Sequence, residues 1–242
     1  MHIDVESELG ACVRAMGGVV SDDARDSHKP KNADYWFPPH GVVVELKSLS
    51  ADLLKSQDWN EHVAELYASW VSRGIVPPAP EGTKLRLNLQ SIPRECAVDV
   101  LNYIRRRLER HVEEANAQIK ATKVTLGLRD ATGLLLIANE GDYGAKLSAV
   151  MNSLARCLRV ECTSINSVIY FSVNMRVAVP NRAENAMFWA DPDIPGREPV
   201  PRDFRQRLRE AFFARVGRLV PGGVYRVDAE TSFEHVDGVV FE

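Results

Sequence analysis

Over the first sixteen residues apolar side chains recur at helical intervals, at Val5, Leu9, Cys12, Val13 and Met16, until Gly17 and Gly18 end the pattern. The spacing predicts an amphipathic helix over 4–16 and a short strand near 18–21. The polar run 22–32 reads as a loop. Tyr35 to Phe37 and Val42 to Leu46 are rich in β-formers and flank the turn signal ProProHisGly, which predicts a hairpin.

Leu53, Leu54, Val63, Leu66, Tyr67 and Trp70 predict a second helix over 52–73, ended by the proline-rich stretch 76–83. After Ser91 and Pro93, Ala97, Leu101, Ile104, Leu108, Val112, Ala115 and Ile119 hold one apolar stripe, the mark of a long helix lying along the body. Residues 133–139 form a continuous apolar run of strand length, 145–159 carry a helical pattern, and 167–174 again read as a strand. Strand, helix, strand implies a crossover and hence a mixed sheet. Beyond 176 the chain turns polar and proline-rich, with a basic amphipathic helix expected at 202–219 and short β-like pieces at 223–228 and 238–241. The expected architecture is therefore α/β: a core over 1–175 with a mixed central sheet flanked by helices, and a less regular C-terminal extension over 176–242 packed on it.

Composition changes this picture little. The 242 residues suffice for a substantial core, and no apolar run approaches the roughly 20 residues that span a bilayer. A soluble, cytoplasmic protein with no membrane partner is expected. Cys12, Cys96, Cys157 and Cys162 lack CxxC spacing and read as core thiols. The segment 127–133 is glycine-flanked but has neither a GxxxxGK[ST] loop nor a GxGxxG, so no nucleotide cofactor is expected.

The hairpin carries the unusual chemistry. If Phe37 faces Val42, antiparallel pairing sets Tyr35 opposite Val44 and Asp34 opposite Glu45. Facing Cβ atoms lie about 4.5 to 5.5 Å apart, so the two carboxylates repel unless a cation sits between them. A hard ion such as Mg²⁺ takes oxygen ligands, which the two carboxylates and the strand carbonyl of Leu46 supply. Lys47, two residues beyond Glu45 on the same face, then stands beside metal-bound water. Glu45-Leu46-Lys47 is the only acid-x-Lys sequence in the chain.

An aspartate followed at hairpin distance by Glu-Leu-Lys, after an apolar hairpin and a helix with an acidic residue, resembles the PD-(D/E)XK nuclease superfamily, the restriction-endonuclease-like fold. The resemblance covers the order of elements through about residue 75. It departs from the pattern at Asn32-Ala33, where the family's proline would lie. It implies a metal-dependent endonuclease or exonuclease using Mg²⁺, with Mn²⁺ as a substitute, and DNA rather than RNA as substrate. It further implies that Asp34 and Glu45 bind the metal, that Lys47 positions or polarises the attacking water, and that Glu8, preceding Leu9-Gly10, is the helix acid of the site. The rival is a non-catalytic binding or effector subunit that keeps the fold and acts in a protein complex. Apart from DNA, the partners expected are a second copy of the chain, in a homodimer, or a partner protein.

The net charge of -3 neither supports nor excludes a nucleic acid, because the arginines are clustered. Arg105 and Arg106 on the long helix, and Arg202, Arg205 and Arg209 on the C-terminal helix, are the candidate contacts to a phosphate backbone, or for the latter group to a partner protein.

Overall fold

The computed structural model describes residues 2–21, 32–50, 52, 55–80, 82, 91–142, 147–160, 162–174, 177–178, 186–192, 194, 196–219, 225–228 and 240–241. Residues 22–31 of the loop expected over 22–32, Leu53 and Leu54 of the expected second helix, the first residues of the helix expected from 145, and parts of the two C-terminal β pieces lie outside them.

Helix α1 (Val5–Ala15) begins at Asp4, whose side chain accepts the Ser7 N–H, and buries Val5, Leu9, Cys12 and Val13 as the spacing requires. Three antiparallel strands follow: β1 (Val19–Val20), β2 (Tyr35–Phe37) and β3 (Val42–Leu49). The turn between β2 and β3 is a 3₁₀ turn over Pro38–His40, closed by Gly41 in the left-handed region at φ 57°. Tyr35 pairs with Val44, Trp36 with Val43 and Phe37 with Val42, the register derived from the sequence.

Helix α2 (Gln57–Ser72) starts later than the apolar pattern suggests, because Ser56 caps it by accepting the Trp59 N–H. Helix α3 (Arg94–Thr125) is 32 residues long. Its buried stripe runs through Cys96, Val100, Ile104, Leu108, Val112, Ala115 and Ile119, so Ala97 and Leu101 give way to their neighbours. Residues 96, 97, 100 and 101 are all apolar; the rotation of α3 against the sheet decides between them. Strand β4 (Thr132–Asn139), helix α4 (Leu147–Val160) and β5 (Ser167–Ser172) form the expected crossover, with β3, β4 and β5 mutually parallel.

The segment after 176 does more than pack on the core. Strand β7 (Ala186–Ala190) lies antiparallel to β5 and to β6 (Val177–Ala178), β8 (Tyr225–Asp228) pairs parallel with β7, and β9 (Val240–Phe241) pairs with β6. The described strands thus belong to one mixed sheet, ordered β1-β2-β3-β4-β5-β7-β6-β9 with β8 beside β7. The short run Met187-Phe188-Trp189 is the only sequence trace of β7, and its polar surroundings hide it.

Helices cover both faces. On one, α2, α3 and α4 pack over Trp36, Val43, Leu135, Ile137, Val168 and Tyr170. On the other, α1 and α5 (Arg202–Leu219) cover Tyr35, Val42, Val44, Leu136, Ile169 and Phe171. A strand enclosed on both sides is apolar throughout, which is why 133–139 shows no alternation. All four cysteines are buried and free. Among the described residues no helix is long and apolar enough to cross a membrane.

Candidate active site

Strand alternation sends Val43, Glu45, Lys47 and Leu49 to the face covered by α3, and Val42, Val44 and Leu46 to the other. The hairpin register continued one step beyond Tyr35 and Val44 sets Asp34 opposite Glu45. The chain bonds tie them: Leu46 N–H donates to Asp34 Oδ2 at 2.9 Å, and Asp34 N–H to Glu45 Oε2 at 3.2 Å. Lys47 Nζ lies 2.8 Å from Glu45 Oε1. Asp34, Glu45 and Lys47 therefore form one cluster, with Glu45 only 1% exposed and Asp34 half-buried at its open side.

Helix α3 supplies the other wall, through residues that reading the hairpin alone missed. Gln118 Oε1 accepts from Lys47 Nζ at 2.7 Å, while Gln118 Nε2 donates to the Asn32 carbonyl at 3.4 Å. Thr122 Oγ1, one turn on, accepts the Ala33 N–H at 2.7 Å, and Glu114, one turn back, approaches Lys47 at 3.9 Å. Glu114, Gln118 and Thr122 recur every four residues, and the last two are buried polar positions in an otherwise apolar stripe. That interruption is the signal the sequence carries.

Electrostatics follow from the burial. The Glu45 carboxyl is pushed up to about 7, first by burial and then by the Asp34 charge, against the pull of Lys47 and of the Asp34 N–H. On α3, burial holds His111 below the usual imidazole value; Glu114 opposes this, and Arg107, Lys47 and Arg110 reinforce it.

The donor set suits a hard cation. Asp34 and Glu45 offer carboxylate oxygens, and the Leu46 carbonyl shares the strand edge of the Leu46 N–H that Asp34 receives. Asn32 Oδ1, two residues before Asp34, is buried and has no hydrogen-bond partner, a condition that an ion or water would relieve. No group of three His, Cys, Asp or Glu side chains able to hold a metal exists among the described residues, so carbonyls and water would have to complete the shell.

Other expected site residues lie elsewhere. Glu8 is on α1, across the sheet, where it pairs with Arg215 of α5. On the helical wheel Glu8 falls at the margin of the apolar stripe, and the arginine on the packed helix draws it away from the hairpin site. Arg205 is 5% exposed and held by Asp191 and the Val200 carbonyl, so it is a structural cation rather than a phosphate contact. Arg202 and Arg209 share α5 and hence the face away from Asp34 and Glu45. On α3, Arg105 pairs with Glu109 at 3.2 Å, and Arg106 is exposed.

No protein-family model, curated protein or solved structure matches the chain.

Proposed function

We propose that the protein is a metal-dependent nuclease of restriction-endonuclease-like fold that hydrolyses phosphodiester bonds, DNA being the expected substrate. The observation that carries this reading is the convergence of Asp34, Glu45 and Lys47, with Glu45 buried and destabilised as an anion by Asp34. A charge so costly to bury is retained where a site needs it. Asp34, Glu45 and the Leu46 carbonyl would hold Mg²⁺ or Mn²⁺. When bound, the ion acidifies water and stabilises charge on the scissile phosphate. Lys47 contributes a compact positive charge that orients a water molecule, and Gln118 fixes the ammonium by accepting from it.

A second reading is a non-catalytic subunit of a protein complex. It is favoured by the closure of Lys47 on Glu45 and Gln118, which already satisfies part of the cluster internally. Incubating the protein with supercoiled DNA, linear DNA and RNA, with and without Mg²⁺, separates the two. The nuclease reading expects Mg²⁺-dependent cleavage that Glu45→Ala abolishes. Absence of cleavage on every substrate, or cleavage equal in Glu45→Ala, supports the binding subunit instead.

A further inference from the structure

Between α2 and α3 lies a cleft of about 760 Å³, within the size range of small-ligand sites. Its aromatic wall is His62 stacked on Tyr103, with ring centroids 4.2 Å apart and planes 22° from parallel. Trp59 supports Tyr103 at 5.5 Å. Arg106, Arg107 and Arg110 of α3 line the same cleft, and Arg106 and Arg110 are exposed. Glu113 of α3 lines the cleft, and the next residue of that helix, Glu114, approaches Lys47.

Charge alone does not make this a phosphate track. Asp58, Glu109 and Glu113 also line it, and Glu109 pairs with Arg105. A double helix offers a protein surface chiefly phosphates, with its bases stacked inside, so a wall of mixed charge would hold it weakly. An unpaired strand also offers the faces of its bases, which stack on aromatic rings whatever their identity. Arginines beside a stacked His–Tyr pair match that combination.

We infer that the cleft between α2 and α3 binds a single-stranded polynucleotide, with phosphates on Arg106, Arg107 and Arg110 and a base against His62 and Tyr103. The strand's delivery to Lys47 rests on the nuclease reading; its binding does not.

The test is fluorescence anisotropy on the full chain in EDTA, where no metal-dependent cleavage occurs, using labelled oligo-dT and oligo-rU of about twelve nucleotides and a blunt duplex of equal length. Both single strands are expected to bind at least about tenfold more tightly than the duplex, and a difference between them tells DNA from RNA. Arg106→Ala with Arg110→Ala, both at exposed positions, should weaken single-strand binding about tenfold and reduce the slope of log K against log salt by about 1.4. Tyr103→Leu, checked for folding by circular dichroism, should weaken binding about tenfold with the salt slope unchanged. Duplex binding as tight as single-strand binding, or variants that bind like wild type, overturns the inference. Single-strand binding that depends on these residues, without Glu45-dependent cleavage, upholds the cleft and removes the nuclease reading. Glu45-dependent cleavage with binding indifferent to these residues does the reverse.

Discussion

Asp34 accepts the backbone N–H of Leu46, next to Glu45, and Glu45 accepts the backbone N–H of Asp34 itself, so two carboxylates are held together that would otherwise part. The hydrogen bonds and Lys47 only partly offset the burial of Glu45 and the repulsion from Asp34, which leaves its carboxyl at about 7 against an ordinary 4.5. Because the folded value is raised, the neutral form is the one the fold prefers. Stability from this group is fully present below pH 4.5 and is lost as pH rises through about 7.

Glu45→Gln, which keeps the shape of the neutral acid, should therefore stabilise the metal-free protein at pH 8 by up to about 3 kcal/mol. The gain should shrink toward zero by pH 5. Thermal melts in EDTA across that range check it, and a gain that is independent of pH would mean that the Glu45 charge is not what destabilises the fold.

Metal binding should show the opposite dependence. A carboxylate must be ionised to act as a ligand, so the rise in melting temperature produced by Mg²⁺ should be small at pH 6 and grow through pH 8. Asp34→Asn and Glu45→Gln should each remove most of it. Titration calorimetry at pH 6.5 should also detect proton release on binding, because Glu45 is then mostly protonated. No proton release in wild type, or an equal thermal response in the variants, would place any bound metal elsewhere.

The framework that carries the hairpin has its own weak point at Gly133, in β4. A Cβ there would lie 2.0 Å from the Ser164 carbonyl oxygen and 2.9 Å from Ile119 Cγ2. Backbone cannot yield as a flexible side-chain tip can, so Gly133→Ala should cost about 1 to 3 kcal/mol or more through overpacking of α3 against the sheet. A denaturant melt measures this, and a loss below about 0.5 kcal/mol would show that the loop bearing Ser164 moves aside.

The hairpin was legible because its information is local. Val42, Val43 and Val44 pair with Phe37, Trp36 and Tyr35 through a short turn, and pairing arithmetic then fixes Asp34 against Glu45. Gln118, more than seventy residues from Lys47, was not legible from the hairpin, since its bond depends on how α3 lies across the sheet. The partner of Glu8 was hidden for a related reason: an acid at the edge of an apolar stripe pairs with whatever packs beside it, and that is Arg215, far along the chain. The arginines of α5 illustrate the limit of charge counting. Arg205 belongs to a basic cluster in sequence yet is buried on Asp191 in the fold. Strand β7 went unread because an inserted strand among polar and proline-rich residues leaves only a brief aromatic trace.

Lys47 separates a nuclease from a metal-binding scaffold. Its ammonium is fixed by Glu45 at 2.8 Å and Gln118 at 2.7 Å, and it is not itself a metal ligand. Lys47→Met, similar in length and uncharged, should keep the fold and the Mg²⁺ response at pH 8, because the two carboxylates repel more strongly without the lysine and gain more from a cation. Cleavage should nevertheless fall on the order of 10² to 10⁴, from loss of the charge that orients water. Gln118→Leu frees the ammonium without removing it, so a smaller loss of about tenfold is expected, confined to kcat, with the metal response intact. Lys47→Arg should not restore the rate, since the planar guanidinium spreads its charge and does not fit a site shaped for a point donor. Single-turnover cleavage measured beside Mg²⁺ thermal shifts for the three variants decides the matter: rates near wild type in both Lys47→Met and Lys47→Arg would make the lysine a structural counter-charge and end its assignment to catalysis.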